Sequence, residues 1–99
     1  HVYHIYAIRI PRRDDIQAYL AGKEIHTAIH YPIPIHRQSA FAQYSRSSGR
    51  FTVSEQCADE LLSLPMYPEL SLSQIDFVCR EIENAIRKFA IAPRRDYVA

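Results

Sequence analysis

Imidazole and phenol side chains are concentrated in two short parts of the sequence. The first is the start of the chain and the second is the proline-rich segment HYPIPIH, and the residues concerned are His1, Tyr3, His4, His30, Tyr31 and His36. Such groups can hydrogen-bond a polar ligand, and imidazole can also carry a proton or bind a metal ion near neutral pH. Pro32 and Pro34 restrict the second segment, which reduces the entropy that a binding edge must lose. The residues leave two alternatives open, a ligand-binding edge or aromatic packing around proline turns.

Other candidates for chemistry do not have the spacing that their reactions need. His26 and His30 share a face only if one strand runs through both, and no cysteine or carboxylate joins them in a zinc pattern. The serines lie in polar turns without the strand-turn-helix elbow of a hydrolase nucleophile. Gly22 and Gly49 stand alone, whereas a phosphate-binding loop needs clustered glycines. We therefore expect no metal ligand, no catalytic residue and no ATP or dinucleotide site.

The first thirty residues predict the order strand, helix, strand. Val2–Ile10 is rich in β-branched and aromatic residues and is stopped by a proline, as is typical of a covered strand. Asp14 and Gln17 have the spacing of a capping box, and the helix that they begin ends near Gly22. Ile25–Ile29 is again strand-like. These elements have the spacing of a compact crossover unit.

The middle of the chain predicts one helical turn, a loop and a longer helix. A single turn is expected from Ser39 to Tyr44, and the polar residues 45–50 are expected to form a loop. Thr52 and Glu55 have capping-box spacing, and the apolar positions that follow line one helix face as far as Leu62.

The end of the chain predicts a short edge strand and the clearest helix of the sequence. Leu64–Pro68 is too rich in proline for a central strand but suits an edge. Ser71 and Gln74 form a capping box, and the apolar residues from Ile75 to Phe89 recur at helical spacing. We expect this apolar face to pack on a sheet and the residues beyond Pro93 to form a frayed tail.

Size and charge exclude several classes of protein. The 99 residues are 47% apolar and 23% charged, as in one ordinary globular domain. A chain this short has little room for an enclosed cofactor pocket. The net charge is only +1, and the basic residues form no stripe along the sequence. We interpret the pairs Arg12-Arg13 and Arg94-Arg95 as solvated charges. Nucleic acid is therefore not an expected partner. No apolar stretch reaches the roughly 18 residues of a membrane span.

The cysteines indicate the cellular compartment of the protein, and the first residue indicates whether the sequence is part of a longer chain. Cys57 and Cys79 fall on the apolar faces of predicted helices, where a reduced thiol acts as a small hydrophobic group. This usage favours the cytoplasm. The sequence begins with His1 and its only methionine is Met66, so we expect it to be a piece of a longer protein.

Three segments, VYHIYAIRI, IHTAIHYPIPIH and FTVSEQCADELLSLPMYPELS, resemble in order and spacing the C-terminal part of one enzyme family. It is the DegT/DnrJ/StrS family of pyridoxal-phosphate-dependent sugar aminotransferases. The resemblance spans nearly all 99 residues. Its most specific parts are His30-Tyr31-Pro32 with Pro34 and His36, and Leu62-Ser63-Leu64-Pro65 with Pro68 and Leu70.

This resemblance implies a fold. Residues 1–99 would be the small C-terminal α+β domain of a fold type I aminotransferase, with a short, mainly antiparallel sheet packed against about three helices. The large cofactor-binding domain would lie upstream of residue 1. Relatives often have glycine where this sequence has Glu24, so we expect Gly22 to make the turn after the first helix.

The resemblance also implies a function. The intact family enzymes are homodimers that use pyridoxal phosphate to move an amino group from glutamate or glutamine to a nucleotide-linked keto sugar, in the biosynthesis of surface polysaccharides and glycosylated natural products. Lys23 and Lys88 are not in the context of the family's Schiff-base lysine, so we expect this chain alone to bind no pyridoxal phosphate and to be inactive. The substrate-binding residues would be His1, Tyr3, His30, Tyr31 and His36. The alternative is a noncatalytic interaction or regulatory domain, or the remnant of a truncated gene.

Overall fold

A computed structural model describes residues 3–45 and 51–92 of the chain. The expected loop beyond Ser45 and the tail from Pro93 lie outside these residues. Two 3-10 turns, Ile35–Arg37 and Ser39–Phe41, precede the second helix. The helices and strands are, in chain order, β1 (Tyr6–Arg9), α1 (Arg13–Ala21), α2 (Ala42–Ser45), α3 (Thr52–Glu60), β2 (Leu61–Leu64) and α4 (Leu72–Lys88).

The sheet of the described residues consists of β1 and β2. They pair antiparallel, in a register that runs from Tyr6 opposite Leu64 to Arg9 opposite Leu61. The first strand is shorter than the predicted span Val2–Ile10. A short antiparallel sheet with helices confirms the predicted α+β class.

The other side of β2 also has a backbone partner. The amide of Ser63 donates to the carbonyl of Ala28 at 2.8 Å, and the amide of Ala28 donates back at 3.0 Å. The strand predicted over Ile25–Ile29 is therefore reduced to a single bridge. The edge strand predicted over Leu64–Pro68 is wrong, because β2 shares only Leu64 with this span and lies between two backbone partners. Pro65 cannot donate a backbone hydrogen bond, and the strand ends just before it.

Only one of the three predicted capping boxes is present. At the start of α4, Ser71 Oγ accepts from the Gln74 amide at 3.2 Å, and the Ser71 amide donates to Gln74 Oε1 at 2.9 Å. Helix α1 begins at Arg13 rather than at a capping Asp14, and Thr52 is the first residue of α3 rather than its cap. Neither of those helices has a side-chain cap, so both predictions are wrong.

The turn after α1 uses Glu24 and not Gly22. Glu24 has a φ of 61°, whereas Gly22 has an ordinary helical φ of −64°. The amide of Ile25 donates to the carbonyl of Leu20, and the amide of Glu24 donates to that of Ala21, which is the hydrogen-bond pattern of a Schellman motif. The prediction that Gly22 makes this turn is therefore wrong.

The core lies between α1, α4 and the sheet. Ile16, Leu20 and Leu62 are fully buried, and Ala85 of α4 packs in the same cluster. The apolar face of α4 packs mainly against α1 rather than on the sheet alone. Cys79 of α4 is exposed, contrary to its expected place on a buried face. Of the helices in the described residues, none combines the length and apolar content needed to cross a membrane.

Arg13 is buried, although the sequence analysis interpreted it as a solvated charge. Only 8% of its surface is exposed. Its Nη1 donates to the carbonyl oxygens of Ala58 and Leu61, both at 3.0 Å, and its Nε donates to Asp14 at 2.6 Å. A helix leaves its last carbonyls without intrahelical donors, so the guanidinium completes the end of α3.

Candidate functional site

The two most specific segments of the sequence touch each other at His30 and Ser63. Nδ1 of His30 and Oγ of Ser63 share a hydrogen bond of 2.8 Å. Ser63 is only 6% exposed, because it lies on β2 between β1 and Ala28. The sheet therefore fixes the position of the His30 ring. Ser63 was not among the candidate residues, although it belongs to the segment LSLP on which the resemblance rests.

A groove of about 300 Å³ lies beside this hydrogen bond. We call it the imidazole groove, and its polar lining comes from His4, His26, Thr27, His30 and Ser63, with Met66 among its apolar walls. These residues come from three separate parts of the chain. Among the described residues, no Asp, Glu, Lys or Arg side chain lines it.

A second and larger groove, of about 620 Å³, lies beyond the proline-rich loop. We call it the aromatic groove. His36 lines it, and its ring lies 4.8 Å from that of Phe51, centroid to centroid. The other aromatic side chains that line it are those of Tyr31, Phe41 and Tyr44.

Glu55 of α3 holds the proline-rich loop against the aromatic groove. Its Oε1 lies 3.0 Å from His36 Nε2 and 3.0 Å from Arg37 Nη2. The hydrogen bond with His36 lowers the pKa of the Glu55 carboxyl, and the positive charge of Arg37 lowers it further, while burial opposes both effects. The ionised carboxylate is thus the form that orients the loop.

We expect the stabilisation from Glu55 to disappear in acid. A carboxyl whose pKa is lowered by folding stabilises the fold above its unfolded pKa of about 4.3, and this contribution is lost as the pH falls through the lowered value. Glu55→Gln should therefore unfold at a lower urea concentration than the parent chain between pH 5 and pH 7, and the two midpoints should converge as the pH falls towards 3.

A matched control for this prediction is Glu83→Gln. Glu83 is 66% exposed and lies 3.7 Å from Arg87 one helical turn away, a type of pair that contributes little. Its midpoint should follow that of the parent chain at every pH. A constant separation between the Glu55→Gln and parent curves down to pH 3 would contradict the assignment.

The five predicted substrate-binding residues do not form one cluster. His30 lines the imidazole groove, whereas Tyr31 and His36 line the aromatic groove. The rings of His30 and Tyr31 meet edge to face at a centroid distance of 5.5 Å, so the two grooves adjoin. Tyr3 is exposed and lines neither groove, and His1 lies outside the described residues.

The family of the chain follows from comparison with known proteins. Residues 1–83 match the model of the DegT/DnrJ/EryC1/StrS aminotransferase family. The chain belongs to this family. The predicted resemblance is thereby confirmed, and the contact between His30 and Ser63 joins two segments that carry it.

Individual relatives are similar along most of the chain. It is 43% identical to the pleiotropic regulatory protein of Geobacillus stearothermophilus, over 91% of this chain and 24% of that protein. It is 39% identical to the dTDP-3-amino-3,6-dideoxy-alpha-D-galactopyranose transaminase of Aneurinibacillus thermoaerophilus, over 85% of this chain and 23% of that enzyme. The structure of NtdA from Bacillus subtilis with bound cofactor PMP superposes with a TM-score of 0.74 at 27% identity, covering 88% of this chain and 21% of NtdA. The chain thus spans about a quarter of the length of these relatives.

The described residues do not fit the cofactor that this aminotransferase family implies. Pyridoxal phosphate needs a lysine amine inside a pocket. Nζ of Lys23 lies 3.7 Å from Oε2 of Glu81, and Nζ of Lys88 lies 5.1 Å above the ring of Tyr19. These are the two lysines of the sequence, and neither lines the imidazole or the aromatic groove. No group of three His, Cys, Asp or Glu side chains that could hold a metal ion is present in residues 3–45 and 51–92.

Proposed function

We propose that the chain is the small C-terminal domain of a pyridoxal-phosphate-dependent sugar aminotransferase. The intact protein would move an amino group from glutamate or glutamine to a nucleotide-linked keto sugar in the cytoplasm, for polysaccharide or natural-product biosynthesis. The observation that carries this proposal is the family match over residues 1–83, together with relatives that are sugar transaminases. The chain covers only 23% of those two relatives, so the transfer reaction is assigned to the intact protein.

In this proposal the chain orients the sugar and does not itself react. His30 and Tyr31 stand where the two grooves adjoin, and His36 also lines the larger groove. With His1 and Tyr3 they would contact the sugar side of the cleft. Ser63 and Glu55 hold the His30 and His36 rings in place, which lowers the entropy lost when a substrate is positioned.

The large domain and a second subunit would cover the exposed apolar side chains. Many large apolar residues of the described chain are exposed, among them Tyr31, Ile33, Ile35, Phe41 and Tyr44 near the aromatic groove. Soluble monomers rarely expose a contiguous apolar patch of more than a few hundred Å². The exposure of these side chains supports the proposal that the large domain and a second subunit would cover this face in the intact protein.

We expect the isolated chain to bind no pyridoxal phosphate covalently. Nζ of Lys23 lies beside the carboxylate of Glu81 and Nζ of Lys88 beside the ring of Tyr19, and neither lysine lines the imidazole or the aromatic groove. After incubation with equimolar cofactor and dialysis, the absorption spectrum should retain no cofactor band. The double variant Lys23→Arg, Lys88→Arg is the matched control and should give the same spectrum. A stoichiometric band that disappears in the double variant would contradict the prediction.

The reading frame upstream of His1 tests the proposed function directly. A continuation into a large domain with an Asp and a Ser-x-x-x-x-Lys-like segment supports the aminotransferase. A start codon just before His1 instead supports a noncatalytic interaction or regulatory domain, or a gene remnant. The similarity to a pleiotropic regulatory protein supports the second alternative, a regulatory domain.

A further inference from the structure

The side chain of Ser63 is a buried hydroxyl whose partner in the described part of the chain is Nδ1 of His30. The two atoms are 2.8 Å apart, and Ser63 is only 6% exposed. The backbone groups of Ser63 have partners of their own, because its amide donates to the carbonyl of Ala28 and its carbonyl accepts from the amide of Ala28. The sheet therefore fixes the hydroxyl and shields it from water.

The direction of this hydrogen bond follows from the chemistry of the two groups. A neutral imidazole has one N–H donor and one bare nitrogen, whereas a hydroxyl both donates and accepts. If Nδ1 carried the proton, the hydroxyl would accept it, and the hydroxyl's own proton would have no acceptor among the described residues. A buried donor without an acceptor is costly, so the geometry favours a hydroxyl that donates to a bare Nδ1. The proton of the neutral ring is then on Nε2.

We propose that Ser63 is a positioning residue that makes His30 a hydrogen-bond donor at Nε2. This nitrogen is on the edge of the ring away from Nδ1, and it has no hydrogen-bond partner within residues 3–45 and 51–92. His30 is exposed and lines the imidazole groove, and the ring of Tyr31 meets it edge to face. A ligand in this groove meets a donor, which selects an acceptor such as a carbonyl oxygen over a donor such as an amine. That the ligand is a keto sugar rests on the proposed function, but the state of the ring does not.

The test is long-range ¹H–¹⁵N NMR of the ¹⁵N-labelled chain at about pH 9, where an ordinary imidazole is uncharged. The ¹⁵N shift of each ring nitrogen shows whether it carries a proton. The tautomer of His30 with its proton on Nε2 should be at least about tenfold more populated than the other. Equal populations, or a majority with the proton on Nδ1, would overturn the proposal without the need for any variant.

Two variants of Ser63 show whether its hydroxyl is the cause. Ser63→Ala removes the donor and should bring the two tautomers of His30 at least about threefold closer to equal populations. Ser63→Thr keeps a hydroxyl and should restore the ratio of the parent chain. Ser73→Ala is the matched control, since it makes the same change at an exposed serine on the first turn of α4 and should leave the ratio unchanged. A parental ratio in Ser63→Ala would give Ser63 a merely structural role and overturn the proposal.

Kinetics of the intact protein separate this inference from the proposed function. Ser63→Ala should lower kcat/KM for amino transfer about threefold to tenfold, and Ser63→Thr should recover most of it. An equal loss in both variants, with the parental tautomer of His30 retained in both, would contradict the positioning role. If the intact protein transfers no amino group, the proposed function fails, whereas the ring nitrogens of His30 in the chain alone still decide the role of Ser63.

Discussion

Replacing Leu62 by alanine lowers the free energy of unfolding by about 3 to 4 kcal/mol. Leu62 is fully buried on β2, and its side chain packs in one cluster with Ile16, Leu20 and Ala85. The substitution removes apolar contacts with both helices and leaves a cavity that a short two-stranded sheet cannot close. A domain of this size has about 5 to 15 kcal/mol of stability in total, so the loss is a large fraction of it.

Urea unfolding followed by circular dichroism measures this loss. Leu72→Ala is the matched control, because it makes the same chemical change at a side chain that is 80% exposed on the first turn of α4. Alanine favours a helix, so the free energy of unfolding of this variant should stay within about 0.5 kcal/mol of that of the parent chain. Equal midpoints for the two variants would show that Leu62 is not at the centre of the core.

The elements that the sequence predicted well are those decided by local contacts. The capping box at Ser71 and the apolar spacing that follows it lie within one helix, and α4 has the predicted start. By contrast, Leu61 and Leu62 continue the apolar spacing of α3 but belong to β2. Pairing with β1, more than fifty residues away, decides their conformation, and no local pattern contains that information.

The candidate site was predictable in its residue types but not in its arrangement. His30 and His36 were selected because they flank two prolines, which restrict the segment as suits a binding edge. Their partners, Ser63 and Glu55, lie 33 and 19 residues further along the chain, and only the packing of β2 and α3 brings them together. The division of the loop between two grooves follows from these partners.

Arg13 is the clearest case in which residue type was misleading. An arginine pair beside a helix start is usually solvated, and only the fold shows that this guanidinium lies under the end of α3. Arg13→Met should lower the free energy of unfolding by about 2 to 3 kcal/mol. Methionine keeps the length and the helix propensity of the side chain, but the carbonyls of Ala58 and Leu61 lose a charged donor.

The matched control for this loss is Arg87→Met, since Arg87 is 77% exposed and lies 3.7 Å from Glu83 in an exposed pair. It should change the stability by less than about 0.5 kcal/mol. Replacing a buried ion pair by apolar side chains is often neutral, but besides the exposed Asp14 the partners here are two backbone carbonyls, which no substitution removes. A neutral Arg13→Met variant would therefore mean that water reaches these carbonyls, and that the end of α3 is not sealed by the guanidinium.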